Sequence, residues 1–362
     1  MMESERDIHF MKRALELAKL RKGLTHPNPT VGCVIVKDGK IVSEGYHEKA
    51  GMPHAEVVAL ERAGKEAEGS TVYVTLEPCS HHGRTPPCTD ALIRAKVKRV
   101  VIATPDPNPL VSGKGIWKLK SAGIEVSIGI LEEEAKELNE DFFTYITLKR
   151  PFVTVKLAQS IDGCIATKHG ESKWITNEES RVFAHRLRAQ ATAVLVGINT
   201  VVRDDPSLTI RAFFWERQPI RIVLDPMLRI PLSSKLVKEK SAKTWIITAS
   251  ENREKIEFLE SQGVEVLLAP VEDGKLKLDE VLRELYFREV MHLLVEGGSI
   301  TATSFIKDNL YDRLFVFVAP IIIGDGLSIG YTGVERLQDA KRHMLKNIYR
   351  FGHDLGLEYK RV

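Results

Sequence analysis

The amino-acid sequence predicts two α/β domains that follow one another along the chain. Its 362 residues exceed what one hydrophobic core usually organises. Strand-like and helix-like segments alternate through both halves, which is typical of sheets covered by helices. An acidic helical segment gives way to an extended one at Pro151. We therefore expect a boundary near Leu148, with a first domain over residues 1–147 and a second over residues 148–362.

The elements of the first domain follow from residue periodicity. An opening helix is predicted from apolar residues at helical spacing: Phe10, Met11, Ala14, Leu15, Leu17 and Ala18. VGCVIVKDGKIVSEGY predicts two strands joined by a hairpin turn at Asp38–Gly39. Helices and strands then alternate over HAEVVALERAG, STVYVTLEP, CTDALIRAK, RVVIATPD, GIWKLKSAG and IEVSIGI, and a single helix over LEEEAKELNEDFFTYITLKRP ends the domain. This order predicts a largely parallel sheet with helices on both faces.

The second domain alternates in the same way but shares no motif with the first, so the halves are not repeats. Its predicted strands lie in PFVTVKLAQ, AVLVG, PIRIVLD, TWIITAS, VEVLLA, HLLVEGG and RLFVFVAP. A helix is predicted over residues 177–190, and Thr176 with Glu179 fits a capping box at its start. VEGGSITATSFIK reads as a strand, two glycines and a helix start, which is a weak phosphate-binding signal.

Composition narrows the class of protein. Apolar residues make up 43% and charged residues 28%, as in soluble globular proteins. No segment approaches the roughly eighteen apolar residues of a spanning helix, and the N-terminal segment lacks a signal-peptide pattern. Four cysteines do not make a disulfide framework, so we expect a cytoplasmic location. A net charge of +3 is no basic footprint for nucleic acid, and without a spanning segment no membrane partner is expected either.

Two motifs together predict a catalytic zinc site. PHAEV contains His54 and Glu56, and PCSHHGRTPPC contains Cys79 and Cys88. One imidazole and two thiolates leave one position of a tetrahedral zinc ion open for water, as hydrolysis requires. Glu56 lies two residues after His54 and is the expected proton carrier, as in zinc deaminases. Both motifs fall at predicted helix starts, where the helix dipole favours negative charge.

Each of these residues also has a simpler interpretation. A single HAE is usually part of a surface helix, and isolated cysteines are usually buried apolar residues, but their coincidence favours zinc. Cys33 and Cys164 lie in strands or at strand ends and are assigned to the core. His81 and His82 are rival ligands, yet they would close the position that catalysis needs open. His47 is expected to face the substrate or solvent.

A longer series of segments carries a family resemblance. In chain order they are THPNPTVGCVIV, GYHEKAGMPHAE, TLEPCSHHGRTPPC, KLAQSIDG, SKWIT, LRAQ, NTVVRDDPSLTIR and VEGG. They resemble the bacterial riboflavin biosynthesis proteins in which a pyrimidine deaminase is fused to a reductase. The eight residues between Cys79 and Cys88, in place of the common P-C-x-x-C, are the most diagnostic feature. The resemblance implies a cytidine-deaminase-like α/β/α zinc domain followed by a dihydrofolate-reductase-like α/β domain.

The resemblance also implies two successive reactions. The first removes the 2-amino group of 2,5-diamino-6-(ribosylamino)pyrimidin-4-one 5′-phosphate by hydrolysis. The second uses NADPH to reduce the ribosyl group to ribityl, which gives 5-amino-6-(ribitylamino)uracil 5′-phosphate. Zinc lowers the pKa of a bound water to about 7 and so supplies hydroxide. Glu56 would take the water proton, pass it to a ring nitrogen and then protonate the departing amine.

Further site residues follow from the resemblance, position by position. In the deaminase they are Asn28, His47 and the segment from His82 to Arg84, in which Arg84 meets the phosphate. Reductase substrate residues are Ser172, Arg188, Leu208, Arg211 and Glu296. NADP contacts are Ala158, Trp174, Thr200, Asp204, Gly297 and Gly298, and the weaker candidates are Lys156 and Asp162. The resemblance further implies a homodimer formed through the reductase domain.

Several of these residues have structural alternatives. Asn28, between two prolines, also fits a residue that only shapes a turn, and Asp204 also fits a turn start. Arg188 could be a solvated helix residue and Arg211 a strand-end charge. Two other functions also compete: a nucleic-acid-editing deaminase and a protein with a purely structural zinc ion. The first needs a basic groove and stacking aromatics, but aromatics are only 7% of residues. The second needs a closed metal site, which the open position beside Glu56 disfavours.

Overall fold

The computed structural model describes residues 3–81, 86–109 and 111–362. It divides into two compact units, Met1–Lys149 and Arg150–Val362. Each unit has its own sheet and its own hydrophobic core. Among the described residues, no helix has both the length and the apolar composition of a membrane span.

The first unit is a five-stranded sheet with six helices. The helices are α1 (Glu3–Lys19), α2 (Ala55–Ala63), α3 (Cys88–Arg94), α4 (Lys114–Ser121), α5 (Glu132–Leu138) and α6 (Glu140–Leu148). The strands are β1 (Gly32–Lys37), β2 (Lys40–Tyr46), β3 (Thr71–Val74), β4 (Arg99–Ile102) and β5 (Glu125–Ile128). Their order in the sheet is β2-β1-β3-β4-β5.

The prediction of a largely parallel first sheet is wrong for half of its pairings. β3, β4 and β5 are parallel, but β1 is antiparallel to both β2 and β3. The hairpin itself is confirmed, with positive φ angles of 50° at Asp38 and 74° at Gly39. After the hairpin, α2 carries the chain back past β1, so β3 runs in the direction of β2 and β1 lies between them.

Helix α1 packs closely on this sheet. All six apolar residues that predict α1 are buried, which confirms that helix and its inner face. A Cβ atom on Gly32 would lie 2.0 Å from the Ala14 carbonyl oxygen, so glycine is required for this approach. The expected single acidic helix is instead the pair α5 and α6. Asn139 divides them, because its side chain accepts from Thr30 N–H at 2.7 Å and donates to Thr30 C=O at 2.9 Å.

The second unit is built on a nine-stranded sheet. Its helices are α7 (Glu178–Gln190), α8 (Ile198–Asp204), α9 (Lys235–Lys238), α10 (Arg253–Ser261), α11 (Leu278–Phe287) and α12 (Ser299–Lys307). The strands of the large sheet are β6 (Phe152–Ser160), β8 (Ala193–Gly197), β9 (Ile220–Leu224), β10 (Thr244–Thr248), β11 (Val264–Leu268), β14 (His292–Val295), β15 (Arg313–Ala319), β17 (His343–Phe351) and β18 (Asp354–Arg361). Two small ribbons complete the unit, formed by β7 (Ala166–Thr167) with β16 (Gly326–Leu327) and by β12 (Val271–Glu272) with β13 (Lys275–Leu276).

The strand order of the large sheet is β11-β10-β9-β8-β14-β6-β15-β18-β17. Pairings from β11 to β15 are parallel, and the final hairpin is antiparallel. Sequence reasoning missed that hairpin, because β17 exposes Met344, Leu345 and Ile348 and a bulge after Leu345 breaks its alternation. The predicted capping box is also wrong: Asn177 caps α7 by accepting from the Ser180 N–H at 3.0 Å.

Candidate active sites

Three metal-binding side chains of the first unit come together near two helix starts. His54 precedes α2, Cys88 is the first residue of α3, and Cys79 lies between β3 and α3. His54 Nδ1 is 3.2 Å from Cys88 Sγ and 3.7 Å from Cys79 Sγ. All three ligand atoms lie within 4.8 Å of one another. Nitrogen and sulfur ligands of a tetrahedral zinc ion are about 3.5–3.8 Å apart, so this donor set fits zinc.

The two thiols of this cluster differ in acidity. A hydrogen bond from the Cys88 thiol lowers the pKa of Cys79, and the Cys88 N–H also donates to Cys79 Sγ at 3.3 Å. The same bond between the sulfurs raises the pKa of Cys88. Zinc is bound by thiolates, so Cys79 and Cys88 would both be deprotonated as its ligands.

Glu56 places a buried carboxyl group beside the cluster. It lies in the first turn of α2, and only 3% of its surface is exposed. Burial raises its pKa, and the opposing effect of His54 is smaller. A carboxyl group with a raised pKa accepts and donates protons more readily near neutral pH. The position of Glu56 therefore suits the proton carrier that the sequence predicts.

His47 and Asn28 form a buried pair near His54. His47 is 2% exposed, so of its two expected positions the structure excludes the one in solvent and leaves the one facing the substrate. Its Nδ1–H donates to the Pro53 carbonyl at 3.1 Å, and its Nε2 accepts from Asn28 Nδ2 at 3.0 Å. Burial lowers the pKa of His47, and the Pro53 carbonyl, which can only accept, requires the tautomer with the proton on Nδ1. The Asn28 amide is thereby oriented, with its NH₂ group toward the histidine.

Other sequence-based assignments in the first unit have different outcomes. Arg84 and His82 lie outside the described residues. His81 is exposed and does not belong to the ligand cluster found among the described residues. Cys33 is buried in the first unit and Cys164 in the second, which confirms both as core residues.

One cavity of the second unit collects all of the predicted reductase residues except Asp162. It has a volume of about 540 Å³. Its lining includes Ala158, Ser172, Trp174, Arg188, Thr200, Asp204, Leu208, Arg211, Glu296, Gly297 and Gly298. These residues come from six separate stretches of sequence, three of which lie at the carboxyl ends of the parallel strands β6, β8 and β14.

The lining of this cavity includes a buried ion cluster. Arg188 binds Glu296 through two hydrogen bonds of 2.5 and 3.0 Å and donates to the Thr209 carbonyl at 2.8 Å. Lys156 Nζ is 3.6 Å from the same carboxylate. Burial alone would raise the pKa of Glu296, but the charges of Arg188 and Lys156 lower it to about 2. Arg188 is therefore not a solvated helix residue.

Arg211 and Asp162 differ in the groups that their side chains contact. Arg211 lines the cavity and is exposed, and no carboxylate of the described residues forms an ion pair with it. Its charge is thus available to an anionic ligand. Asp162, a weaker candidate for the sugar site, accepts instead from the backbone N–H groups of Ile323 and Gly324 at 3.2 and 2.7 Å. Through these bonds Asp162 holds the loop that contains Ile323 and Gly324.

A second cavity of about 530 Å³ adjoins the first along helix α8. Thr200 and Asp204 line both cavities, whereas Asn199 and Arg203 line only the second. Sequence reasoning missed Arg203 and Arg229 here. The available signal was Arg203 four residues after Asn199, because that spacing places both on one helix face. The signal for Arg229 exists only in the fold, where it donates to Asn199 Oδ1 at 2.8 Å.

Two family profiles match the chain, one in each unit. The profile described as "RibD C-terminal domain" matches residues 151–357, and the one described as "Cytidine and deoxycytidylate deaminase zinc-binding region" matches residues 4–104. The "Riboflavin biosynthesis protein RibD" of Aquifex aeolicus (strain VF5) is 57% identical over 99% of this chain and 100% of its own length. This chain belongs to the RibD family. RibD of Escherichia coli (strain K12) is 44% identical over 97% of this chain and 98% of its own length.

Solved structures show the same likeness to the RibD family. A structure of Acinetobacter baumannii RibD is 39% identical, covers 99% of this chain and 100% of its own, and has a TM-score of 0.91. The diaminohydroxyphosphoribosylaminopyrimidine deaminase/5-amino-6-(5-phosphoribosylamino)uracil reductase of Thermotoga maritima is 40% identical, covers 99% of both chains and has a TM-score of 0.89. The predicted fold class is thereby confirmed: a cytidine-deaminase-like zinc domain precedes a dihydrofolate-reductase-like domain. Zinc and NADPH are the cofactors of these two RibD domains.

Proposed function

We propose that the chain catalyses two successive steps of riboflavin biosynthesis. Residues 1–147 remove the 2-amino group of 2,5-diamino-6-(ribosylamino)pyrimidin-4-one 5′-phosphate by hydrolysis, and residues 148–362 reduce the ribosyl group of the product to ribityl with NADPH. The observation that carries the proposal is the convergence of His54, Cys79 and Cys88 in one unit, where the buried Glu56 lies beside them. Membership of the RibD family supports both reactions.

The side chains of the first domain have separate roles in deamination. His54, Cys79 and Cys88 would hold zinc, which when bound supplies an activated water at neutral pH. Glu56 takes the water proton, passes it to a ring nitrogen and then protonates the departing amine. Because His47 occupies the NH₂ group of Asn28, the Asn28 Oδ1 is left to accept from a donor on the substrate.

The second domain binds and orients two anionic molecules. Thr200 and the Gly297–Gly298 turn lie where α8 and α12 begin, and the Gly298 N–H donates to Thr200 Oγ1 at 3.2 Å. Glycines there let a phosphate approach the backbone. NADPH supplies the hydride when bound. Arg188, Glu296 and Lys156 form the polar wall against which the opened sugar is oriented.

The two activities are tested by following two products from the purified chain. With the aminopyrimidine substrate, ammonia release should precede NADPH consumption, which is followed at 340 nm. Chelation of zinc should abolish ammonia release and leave reduction of the already deaminated substrate intact. If the chain consumes NADPH without the pyrimidine, or releases no ammonia in the presence of zinc, the proposal is wrong.

Replacement of Arg211 by alanine is expected to weaken substrate binding in the reductase alone. Arg211 has no carboxylate partner among the described residues, so its charge is free to meet the substrate phosphate. A charge-assisted hydrogen bond contributes about 1.5–3 kcal/mol, so the reductase KM should rise about 10- to 100-fold. Deaminase kinetics should be unchanged. An equal loss of both activities would indicate misfolding and count against this role.

We also propose that Arg203 and Arg229 bind the 2′-phosphate of NADPH. Both line the second cavity, and neither has a carboxylate within ion-pair distance in the described part of the chain. Arg229 donates a hydrogen bond to Asn199, and Asn199 lies on the same face of α8 as Arg203. The two guanidinium groups therefore lie close to the same stretch of α8. Paired arginines suit a phosphate dianion.

Arg203→Ala and Arg229→Ala are therefore expected to reduce the preference for NADPH over NADH. Each change should raise KM for NADPH by about tenfold or more and leave KM for NADH nearly unchanged, since NADH lacks the 2′-phosphate. Steady-state kinetics with both cofactors measures the ratio. Lys238→Ala, which removes a cation outside both cavities, is the control. Equal effects on NADPH and NADH would contradict the assignment.

We propose a homodimer formed through the second domain, located in the cytoplasm. Edge strand β17 exposes Met344, Leu345 and Ile348 at 51%, 46% and 63%, and an apolar edge strand is a surface that proteins normally cover. None of the four cysteines forms a disulfide, which suits a reducing compartment. The hydrodynamic mass of the purified chain tests the dimer: a monomer at micromolar concentration would contradict it.

A further inference from the structure

The feature that carries a further inference is a buried carboxylate next to the metal centre, Glu77. This residue lies two positions before Cys79 and is 3% exposed. It is not one of the converging ligands found among the described residues. A buried carboxylate must be compensated by donors, so its partners show what it does.

Four backbone N–H groups donate to this one carboxylate. Gly115 and Ile116 donate to Oε1 at 3.0 and 3.2 Å. Gly113 and Asp106 donate to Oε2 at 3.0 and 3.3 Å. Three of the four donors belong to the start of α4, where amides have no partner within the helix.

Glu77 therefore caps α4 from outside the helix. Gly113 occupies the capping position of α4 and has no side chain with which to cap it. The Glu77 carboxylate takes over that function from a distant position in the sequence, and its negative charge is favourable at a helix N-terminus. Its own N–H donates to the Thr104 carbonyl at 3.0 Å, which fixes the backbone from which the side chain extends.

The capping interaction holds α4 in contact with the backbone that carries Cys79. A Cβ atom on Gly115 would lie 2.1 Å from the Pro78 carbonyl oxygen, so the first turn of α4 contacts the peptide directly before the cysteine. On its other side, the Cys79 carbonyl accepts from the N–H and the hydroxyl of Thr89 in α3, both at 3.2 Å. Cys79 is thus held between the starts of two helices.

We propose that Glu77 is a positioning residue for the metal centre: by capping α4 it holds the Pro78–Cys79 backbone where the Cys79 sulfur can meet His54 and Cys88. This inference rests on the proposed deaminase function of the first domain. Substitution of residues that orient metal ligands commonly costs about 10- to 100-fold in metal affinity or activity. The same range is expected here.

The test is Glu77→Gln in the full chain, because the amide turns an NH₂ group toward two of the four donors. Zinc affinity is measured by competition with a chromophoric chelator, and sulfur-to-cobalt charge-transfer absorption is recorded on the Co²⁺-loaded protein. We expect the zinc Kd to rise about 10- to 100-fold, the cobalt band to shift and the deaminase kcat to fall at saturating zinc. Reductase kinetics should be unchanged.

The matched control is Asp7→Asn, which alters another buried carboxylate of the same unit. Asp7 binds Arg99 and Tyr73 and makes no contact with the ligand cluster. It should lower the melting temperature without changing zinc affinity or the cobalt band. If Glu77→Gln leaves Kd and kcat within twofold of the unmodified chain, or if Asp7→Asn shifts them equally, the proposal is overturned.

If Glu77→Gln yields no folded protein, Gly115→Ala is the second test of whether the contact between α4 and Pro78 positions Cys79. It keeps the carboxylate but pushes the Pro78 carbonyl away, so it should shift the same cobalt band and weaken zinc binding. An unchanged band would overturn the proposal. Failure of the unmodified, zinc-loaded chain to deaminate would instead overturn the proposed function, which keeps the two results distinct.

Discussion

Replacement of Glu56 by glutamine is expected to lower the deaminase kcat by about 10²- to 10⁴-fold, the usual contribution of a positioned acid–base group. Glutamine preserves the size of the side chain and its place in α2, but it cannot take a proton from water or return one to the amine. Burial raises the pKa of Glu56 and so prepares it for both transfers. Ammonia release at saturating substrate measures the loss.

Zinc content and reductase activity should survive this change. Glu56 is not among the three converging ligands, and the reductase residues lie in the other unit. Glu61→Gln is the matched control, because Glu61 lies on the exposed side of the same helix. A Glu56→Gln protein that keeps more than a tenth of the unmodified kcat would refute the assigned role.

Removal of Glu296 is expected to destabilise the second domain by about 3–5 kcal/mol, since it leaves buried positive charge uncompensated. Glu296→Leu leaves both Arg188 and Lys156 without their carboxylate. Arg188→Met should cost less, because Lys156 remains beside Glu296. Hydrogen exchange of peptides from α7 and β14 in the full chain measures the free energy of opening. Reductase activity should be lost in both variants.

The double variant separates stability from function. Arg188→Met combined with Glu296→Leu removes both charges of the pair and should recover part of the stability lost in Glu296→Leu, whereas activity stays absent. Arg283→Ala breaks an exposed ion pair with Glu280 and, as a control, should change stability by about 1 kcal/mol or less. Strictly additive losses in the double variant would show that the pair is not energetically coupled.

The local elements of the fold were largely predictable, and the pairing of strands was not. Apolar spacing predicted α1, and the Asp38–Gly39 turn predicted the first hairpin, because both depend on neighbours in sequence. The direction of β1 relative to β3 depends on where α2 returns the chain. The break at Asn139 depends on Thr30, more than one hundred positions away. Interactions of that range leave no local pattern.

In the candidate sites, too, some features were predictable from the sequence and others were not. The His54, Cys79 and Cys88 set was predictable because zinc chemistry restricts the residue types, and the family resemblance supplied the reductase residues. The partners of those residues were not predictable. Arg188 was expected among substrate contacts, yet its guanidinium is occupied by Glu296 and the Thr209 carbonyl. Arg203 and Arg229 were missed because no motif marks them: the spacing of Arg203 from Asn199 is only a weak local signal, and the position of Arg229 depends on the fold.

Residue chemistry and spacing along the chain were thus sufficient to predict two α/β domains, the candidate metal ligands and the candidate proton carrier, whereas the family resemblance supplied the type of each domain and the NADPH cofactor. Packing alone determined which charges are already paired, which remain free for phosphate, and how Glu77 supports Cys79 through α4. The physical reason is burial. A side chain's pKa, its partners and its availability to a ligand depend on the atoms that replace water around it, and most of those atoms belong to distant parts of the sequence.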